Sequence, residues 1–568
     1  MEGPGFSPEQ QNYLKGFMAG VEARRGALAP AGGGNAPADA LRAAQDQTIA
    51  AGGKLVAQEE AKREKHPLDR WDEITARAEA GQFPKPIDDF ITRFHGLFFV
   101  GPVQDAFMCR LRIPGGIITA QQAREVAAIA EECGGGYVDV TTRANLQIRM
   151  IPAAKGPDVV MRLGEIGLLP RGTGADNIRN ITASPTVGID PLEWLDTRPT
   201  VRALHHHILN TRDLFGLPRK FNISLDGGGA VAVLEETNDI ALSVVRVGGE
   251  LRYRLGLGGI TGHQDFAAPS DVALLPGEVV RVCDAILRVF IANGDRTDRK
   301  KARLKYLLDA WGHARFLNEV EALAGFTLPR FETPAMERPP APDRFAHVGV
   351  HAQRQAGQHW LGVVIPAARL DADQLRGLAG IARHYGNGEL RLTVWQNLLI
   401  PCVTDVEGAQ DALAALGLTT EANSLRAGLV ACTGAAGCKF GAADTKRNGM
   451  EIVAFLEQRI TLDAPLNIHL TGCHHSCAQH YIAEIGLLGA KVERGEDVLP
   501  GYDIHLGGGS GDGALIGRLI RPKVVEDEVA PLLLNLLTHW QRECTPGESF
   551  VEFCARHEDA ALNGMLVS

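Results

Sequence analysis

The stretch IPGGIITAQQAREVAAIAEECGGGYVDVTTRANLQI at residues 113–148 returns at residues 365–400 as IPAARLDADQLRGLAGIARHYGNGELRLTVWQNLLI. The two segments align without a gap at a constant offset of 252 residues, and 14 of the 36 aligned positions are identical. An ungapped repeat of this length favours two related structural units over a chance similarity between amphipathic segments.

The same local signals occur in both copies. Thr119 with Gln122, and Asp371 with Gln374, form capping boxes that predict the start of a helix. Apolar residues follow at helical spacing, and alternating runs on either side predict strands. A further helix is predicted at Pro157–Leu169. We therefore predict an α+β fold whose two halves contain ferredoxin-like modules and pack about a pseudo-two-fold axis, with a shared central cleft.

The length of 568 residues allows several domains with substantial cores. The predicted segments are a helical N-terminal extension with an Ala/Gly/Pro-rich loop (1–90), the first ferredoxin-like half-domain (91–170), a domain rich in basic motifs (171–340), the second ferredoxin-like half-domain (341–420) and a cysteine-bearing domain (421–568).

Composition narrows the class of protein. The net charge of −10 argues against general nucleic-acid binding, which needs a basic surface. No uninterrupted apolar run approaches 18 residues, so we expect no membrane span. The N-terminus carries no recognisable secretory signal, which favours the cytoplasm. Thiols stay reduced there, so the ten cysteines are expected to be free, metal-bound or catalytic.

Four of the cysteines form one pattern. Cys432 and Cys438 are separated by five residues, and Cys473 and Cys477 by three. The wide first pair fits structural zinc poorly, whereas four thiolates amid glycines match a [4Fe–4S] cluster. Spacing alone favours the cluster and leaves zinc and unligated thiols open.

Basic residues are concentrated in the first half. Arg110 and Arg112 are predicted to alternate on one strand, and a second strand face is predicted to carry Arg143, Asn145, Gln147 and Arg149. Further cations occur in the motifs "DNIRNI", "LPRKFN" and "DRKKARLK". Such a density of donors suits a polyanionic cofactor together with a small oxyanion.

These motifs resemble the siroheme- and [4Fe–4S]-containing nitrite and sulfite reductases, most closely the assimilatory ferredoxin-dependent nitrite reductases. The resemblance covers about residues 85–520 and includes the repeat, the cysteine pattern, "TTRANLQIR", "DNIRNI" and "LPRKFN". It implies that all four cysteines bind the cluster and that Cys477 also bridges the cluster to the siroheme iron. It also implies that residues 171–340 bind siroheme and substrate and that residues 421–568 bind the cluster and siroheme. The ferredoxin-like half-domains, residues 91–170 and 341–420, would lie around this siroheme/[4Fe–4S] centre.

The resemblance also implies residue roles. The catalytic oxyanion pocket would comprise Arg110, Arg179, Lys220 and Asn222. The remaining motif residues are predicted to bind cofactor, and they are Arg112, Thr142, Arg143, Asn145, Gln147, Arg149, Arg299, Lys300 and Arg303. The sequence departs from the family at Ala144, where Gln is common, and at His474–His475, where Pro–Asn is frequent.

Substrate and electron donor follow in the same way. Nitrite reductases of the family have Asn at the position of Asn222, where sulfite reductases have a second Lys, so we expect nitrite to be reduced to ammonium. No nucleotide-binding glycine motif follows a strand, and the family implies ferredoxin as the donor. We expect a monomer. The alternatives are a sulfite reductase, a precorrin-processing oxygenase, and a zinc-stabilised binding protein without redox chemistry.

Overall fold

The computed structural model describes residues 39–101, 103–332, 336–421, 425–463 and 465–568. Most of the Ala/Gly/Pro-rich stretch expected in the N-terminal extension lies outside these residues. The helices are α1 (Ala40–Ala50), α2 (Ala57–Glu64), α3 (Trp71–Glu79), α4 (Pro86–Thr92), α5 (Ala120–Cys133), α6 (Gly156–Glu165), α7 (Arg198–Asn210), α8 (Val279–Asn293), α9 (Leu304–Trp311), α10 (His313–Ala324), α11 (Ala372–Tyr385), α12 (Val406–Ala415), α13 (Thr445–Glu457), α14 (Glu526–Glu543), α15 (Phe550–Ala555) and α16 (Asp559–Val567).

The strands of the first half are β1 (Leu97–Phe99), β2 (Phe107–Arg110), β3 (Ile117–Thr119), β4 (Tyr137–Thr141), β5 (Asn145–Ile151), β6 (Thr182–Ala183), β7 (Ile223–Asp226), β8 (Ile240–Val247), β9 (Glu250–Leu257), β10 (Ala268–Leu274) and β11 (Met336–Glu337). Those of the second half are β12 (Gly349–Ala352), β13 (His359–Val363), β14 (Arg369–Asp371), β15 (Glu389–Leu392), β16 (Leu398–Val403), β17 (Leu429–Ala431), β18 (Ile468–Thr471), β19 (Ile485–Arg494), β20 (Asp497–Leu506) and β21 (Arg518–Val525).

The predicted repeat forms two five-stranded antiparallel sheets that exchange an edge strand. One sheet has the order β1-β2-β5-β4-β14 and the other has the order β12-β13-β16-β15-β3. Strand β14 of the second half thus completes the first sheet, and β3 of the first half completes the second. This reciprocal exchange is the physical form of the pseudo-two-fold relationship, and it confirms the predicted α+β fold.

The helices that follow the exchanged strands start as predicted. Thr119 and Asp371 each accept a hydrogen bond from the backbone N–H three residues on, and both capping boxes are complete. Helices α5 and α11 pack against each other in one hydrophobic core that draws on both halves. The apolar stripe predicted for α5 is buried throughout, and in α11 only Tyr385 stays partly exposed. The predicted third helix is present as α6, shorter at its C-terminal end.

A second pair of sheets repeats as well. Strands β6, β7 and β8 run parallel and continue into antiparallel β9 and β10, and β17 to β21 repeat this arrangement. The sequence carries a weak trace of this repeat, FNISLDG at 221–227 against LNIHLTG at 466–472. The loops between these strands differ in length in the two copies, so the residue offset changes from one strand to the next. An ungapped comparison therefore does not detect this second repeat.

The described part of the N-terminal extension is helical and joined to the core by buried charges. Asp39 caps α1, its side chain accepting from the N–H groups of Leu41 and Arg42. On α2, Glu59 and Lys62 form a buried ion pair. Lys62 Nζ also donates to the carbonyl of Leu217 at 2.9 Å. The extension therefore holds Leu217, which is the first residue of the "LPRKFN" motif.

No helix in the described ranges is long and apolar enough to cross a membrane.

Candidate active site

The four predicted cysteine ligands come from two loops at one edge of the β17–β21 sheet. Cys432 directly follows β17, and Cys473 lies just beyond β18, which runs parallel to β17. Because parallel neighbours end at the same edge, the two loops meet. The Cys432 thiol accepts from the backbone N–H groups of Gly434 at 3.3 Å and Gly472 at 3.2 Å.

The glycines of these loops are required by close backbone packing. A Cβ on Gly434 would lie 2.5 Å from the Thr445 nitrogen, and Gly434 also has a positive φ of 65°. A Cβ on Gly441 would lie 2.5 Å from the Ala435 nitrogen. Larger residues would force the first cysteine loop away from Thr445 and distort its own backbone, so these glycines help to fix where the Cys432 and Cys438 thiols lie.

The thiols interact with one another through space. Burial and the nearby Cys438 and Cys432 thiols raise the pKa of Cys473, although a hydrogen bond with the His475 backbone opposes this. Burial and the other three cysteines raise the pKa of Cys477 to about 12, although Lys220 opposes this. In the described residues, no three His, Cys, Asp or Glu side chains are spaced to hold a single metal ion. Four thiols spread around a shared space are a donor set that fits an iron–sulfur cluster.

The predicted oxyanion pocket converges on Cys477, the predicted bridging ligand. Arg110 and Lys220 each lie close enough to the Cys477 thiol to interact with it electrostatically. Arg179 in turn interacts with Arg110 and with Lys220. Cys477 itself is exposed, although burial dominates its pKa. The residue thus reaches the surface, while the protein packed around its thiol still raises the pKa of that thiol.

Two of the three pocket cations are partly engaged with the protein. Arg179 donates to the carbonyls of Thr173 at 2.9 Å and Ala175 at 2.8 Å. Arg110 lies over the ring of Phe98, 4.6 Å from its centroid. The Lys220 ammonium makes no hydrogen bond or ion pair with any described residue, and the Asn222 side chain likewise has none. Lys220 is therefore the cation of the pocket left free for a ligand, and the Asn222 amide is left free beside it in the sequence.

The pocket carries a surplus of positive charge. Burial lowers the pKa of Lys220 to about 7, aided by Arg303. Burial lowers the pKa of Arg110 to about 10, and burial together with Arg110 lowers the pKa of Arg179 well below its usual value. Cations crowded together at partial burial are costly unless an anion joins them. This surplus fits an anionic cofactor with an oxyanion beside it.

The β4–β5 turn reaches from the first half into the cysteine loop. Thr142 Oγ1 donates to the carbonyl of Cys477 at 3.0 Å. Arg143 lies in the turn and not on the predicted strand face, and β5 begins only at Asn145. Its guanidinium donates to the carbonyl of Asn180 at 2.7 Å and to Asn238 Oδ1 at 2.8 Å. Likewise β2 ends at Arg110, so the expected strand does not extend to Arg112.

Several residues predicted to bind cofactor are engaged elsewhere. Arg112 is buried, and its guanidinium donates to the carbonyls of Arg171, Ile178 and Arg179. These contacts occupy Arg112 structurally and give no support to cofactor binding.

The remaining predicted residues divide between buried contacts and the surface. Arg299 forms a two-point pair with buried Asp176, and Arg303 forms one with buried Asp239. Lys300 is exposed. Asn145 donates to the carbonyl of Leu111, Gln147 is buried beside it on β5, and Arg149 contacts the first cysteine loop at Thr433.

Sequence reasoning missed the carboxylates that hold this basic region in place. Asp176 has an exposed fraction of 0% and lies near Lys62, Arg219 and Arg299. Asp239 accepts from the backbone N–H of Asn222 at 2.8 Å. Position was an available signal for Asp176, which opens "DNIRNI", whereas Asp239 lies in the acidic stretch "EETNDI" outside every motif and carried no such signal.

Two family descriptions match four segments of the chain. Residues 102–166 and 351–416 match the nitrite/sulfite reductase ferredoxin-like half domain. Residues 174–328 and 422–553 match the nitrite and sulphite reductase 4Fe-4S domain. The chain belongs to the nitrite and sulphite reductase family. The predicted family, an oxidoreductase whose cofactors are siroheme and a [4Fe–4S] cluster, is thereby confirmed.

Relatives of this family match over most of their length. The chain is 37% identical over 460 residues to a ferredoxin–nitrite reductase of Leptolyngbya laminosa, covering 79% of this chain and 89% of the relative. It is 35% identical over 505 residues to that of Synechococcus elongatus, covering 86% and 98%. The solved structure of the Mycobacterium tuberculosis NirA protein superposes with a TM-score of 0.83 at 29% identity, covering 91% of this chain and 99% of that one.

Proposed function

We propose that this member of the family is an assimilatory nitrite reductase that takes electrons from ferredoxin and converts nitrite to ammonium. The observation that carries the proposal is the convergence of Arg110, Arg179 and Lys220 on Cys477. Ferredoxin–nitrite reductases among the relatives support the choice of substrate and donor.

The cofactors are assigned to residues as follows. Cys432, Cys438, Cys473 and Cys477 would hold the cluster, and Cys477 would also serve the siroheme. When bound, the siroheme and cluster would supply redox-active iron and single-electron transfer, which is chemistry that side chains lack. Thr142, through its bond to the Cys477 carbonyl, orients the bridging residue from the opposite half.

Arg110 and Arg179 bind and orient the substrate oxygens. The two carbonyl contacts of Arg179 fix its guanidinium, and the ring of Phe98 supports that of Arg110. Preorganised cations stabilise negative charge that collects on oxygen as N–O bonds weaken, without reorganising during the reaction. Their contribution is therefore greatest in the transition state.

Lys220 supplies protons. Nitrite becomes ammonium and two waters by taking up six electrons and eight protons, so a proton donor beside the oxygens is required at each loss of water. The Lys220 ammonium has no protein partner in the described chain and stands next to Cys477, where it can donate to a departing oxygen and recover a proton from solvent.

Asn222 gives the pocket its preference for nitrite. Nitrite is a monoanion, whereas sulfite carries up to two charges, so a neutral amide at this position removes one ammonium that a dianion would use. The Asn222 backbone N–H donates to Asp239 at 2.8 Å, and its uncharged side chain has no hydrogen-bond partner among the described residues. The proposal also includes the electron donor, which is ferredoxin. It further holds that the protein is a monomer that works in the cytoplasm.

The test is a stoichiometric turnover. The protein loaded with both cofactors is given nitrite and reduced ferredoxin under anaerobic conditions, and ammonium and oxidised ferredoxin are counted. The proposal predicts one ammonium per nitrite and six ferredoxins oxidised. Release of nitric oxide or hydroxylamine as the main product would overturn it.

A further inference from the structure

A buried group of charges, which we call the cluster hub, lies behind the first cysteine loop. It comprises Asp139 on β4, Arg149 on β5, Arg369 on β14 and Lys446 on α13. Asp139 is the centre, with its carboxylate 3.2 Å from Arg149 Nε, 2.9 Å from Arg369 Nε and 3.7 Å from Lys446 Nζ. The Asp139 and Arg149 side chains are 4% and 3% exposed.

Arg149 reaches from the hub to the loop that carries two of the cluster ligands. Its Nη2 donates to Thr433 Oγ1 at 3.0 Å and to the Gly437 carbonyl at 3.3 Å. Thr433 follows Cys432, and Gly437 precedes Cys438. Lys446 lies near enough to the Cys432 thiol to interact with it electrostatically, as Arg149 does with the Cys438 thiol. Two buried cations therefore lie near the thiols of the first pair.

Arg149 also keeps unused hydrogen-bonding capacity. Within the described residues, its Nη1 and Nε are buried donors without a hydrogen-bond partner, Nε facing Asp139 only as an ion pair. A buried donor without an acceptor destabilises the folded protein. An acceptor on the cysteine side, such as a cluster sulfide, would relieve this cost.

The hub is not required by the fold. At the offset of 252 residues, Arg149 corresponds to Pro401 and Asp139 to Arg391. The second half builds the same sheet without these charges. The Asp139–Arg149 pair is thus absent from the equivalent sheet, and the hub's three cations outnumber its one carboxylate.

We propose that the cluster hub raises the reduction potential of the [4Fe–4S] cluster, with Arg149 as the main positioning and tuning residue. Reduction adds one negative charge to the cluster. Buried cations beside it stabilise that charge, because protein shields them from solvent screening. Asp139 holds the cations in place and moderates their field. The inference rests on the cluster but not on nitrite being the substrate.

The experiment is a redox titration of the cofactor-loaded protein without nitrite, with the reduced cluster followed by its electron paramagnetic resonance signal. Arg149→Met removes a cation and is expected to shift the midpoint potential to more negative values. Asp139→Asn removes the anion and is expected to shift it to more positive values. Arg149→Lys keeps the charge and should stay closer to the unmodified protein than Arg149→Met does.

Arg369→Gln is the matched control, since Arg369 pairs with the same carboxylate but is 40% exposed and should move the potential least. Shifts of opposite sign cannot come from loosening of the site, which would move both variants in one direction. Equal-sign or absent shifts in Arg149→Met and Asp139→Asn overturn the proposal. If Arg149→Met fails to take up the cluster, the Asp139→Asn shift decides: positive supports the hub, and zero or negative overturns it.

Discussion

Asp239 and Glu484 make the same contact in the two halves of the molecule. Each accepts a hydrogen bond from the backbone N–H of the asparagine that precedes a neighbouring strand, Asn222 at 2.8 Å and Asn467 at 2.9 Å. Each carboxylate also pairs with an arginine, at 2.7 Å and 3.0 Å. Only Asn222 belongs to the proposed substrate pocket. Variants of Asp239 and Glu484 can therefore distinguish an effect on the pocket from an effect on the strand alone.

Asp239→Asn is expected to raise the KM for nitrite, because it loosens the backbone that places Lys220 and Asn222. A hydrogen bond to a charged group contributes about 1.5–3 kcal/mol, which corresponds to roughly a tenfold rise or more. Glu484→Gln disturbs the equivalent strand in the other half and should leave KM unchanged. Steady-state kinetics of both variants, with thermal unfolding as the check on folding, make the comparison. Equal effects on KM would show that Asp239 acts only on stability.

Lys220→Ala is expected to lower kcat by about 100-fold, the usual contribution of a placed general acid. The visible spectrum of the loaded protein should persist, since Lys220 makes no contact that holds a described residue. Lys155→Ala, which removes an exposed lysine, is the control. Normal turnover by a fully loaded Lys220→Ala protein would exclude the role in proton donation.

Cys438→Ser is expected to abolish cluster assembly, because a serine hydroxyl is a poor replacement for a thiolate ligand. Cys544→Ser, at a cysteine outside the four, should keep full iron and sulfide. Iron and acid-labile sulfide are measured per chain. A Cys438→Ser protein with four acid-labile sulfides per chain, and four irons beyond that of the siroheme, would remove this residue from the ligand set.

Asp176 should make stability depend on pH in the acid range. Burial alone would raise its pKa, but hydrogen bonding to Arg299 and the charges of Lys62, Arg299 and Arg219 hold that pKa below its usual value. The stabilisation is therefore complete above the unfolded pKa of about 3.9 and is lost as pH falls through the folded value.

The variant Asp176→Asn is expected to lose about 3–5 kcal/mol of unfolding free energy at neutral pH, because it leaves buried cations unpaired. The difference from the unmodified protein should shrink as pH drops below about 4. Asp271→Asn, in an exposed pair with Arg330, should cost about 0–1 kcal/mol. Denaturant unfolding across the pH range measures the unfolding free energy of the unmodified protein and of both variants. A loss that does not vary with pH would contradict the ionic account.

The repeat was predictable because capping boxes and helical stripes are local signals. Thr119, Asp371 and their helices needed only neighbouring residues to be recognised. The exchange of β3 and β14 between sheets was not predictable, since short edge strands pair by three-dimensional position. The second repeat escaped for a different reason, because its loops differ in length.

The site was predictable to the level of motifs. Arg110, Arg179, Lys220 and the cysteines were identified by resemblance, and the structure brings them together. The sequence could not predict which arginines already donate to protein carbonyls. Arg112 and Arg149 both occur in basic motifs near predicted strands, and nothing local distinguishes them. Arg112 is occupied by three carbonyls, whereas Arg149 turns to the cysteine loop. Such differences depend on carbonyls and carboxylates far away in the chain.

The central claim is tested most directly by anaerobic turnover with reduced viologen, offering nitrite and sulfite in separate reactions to the same cofactor-loaded preparation. Ammonium and sulfide are quantified. The account predicts ammonium formation much faster than sulfide formation, in keeping with the neutral Asn222 beside Lys220. Sulfide formation as the faster reaction would contradict it and assign the protein to sulfite reduction.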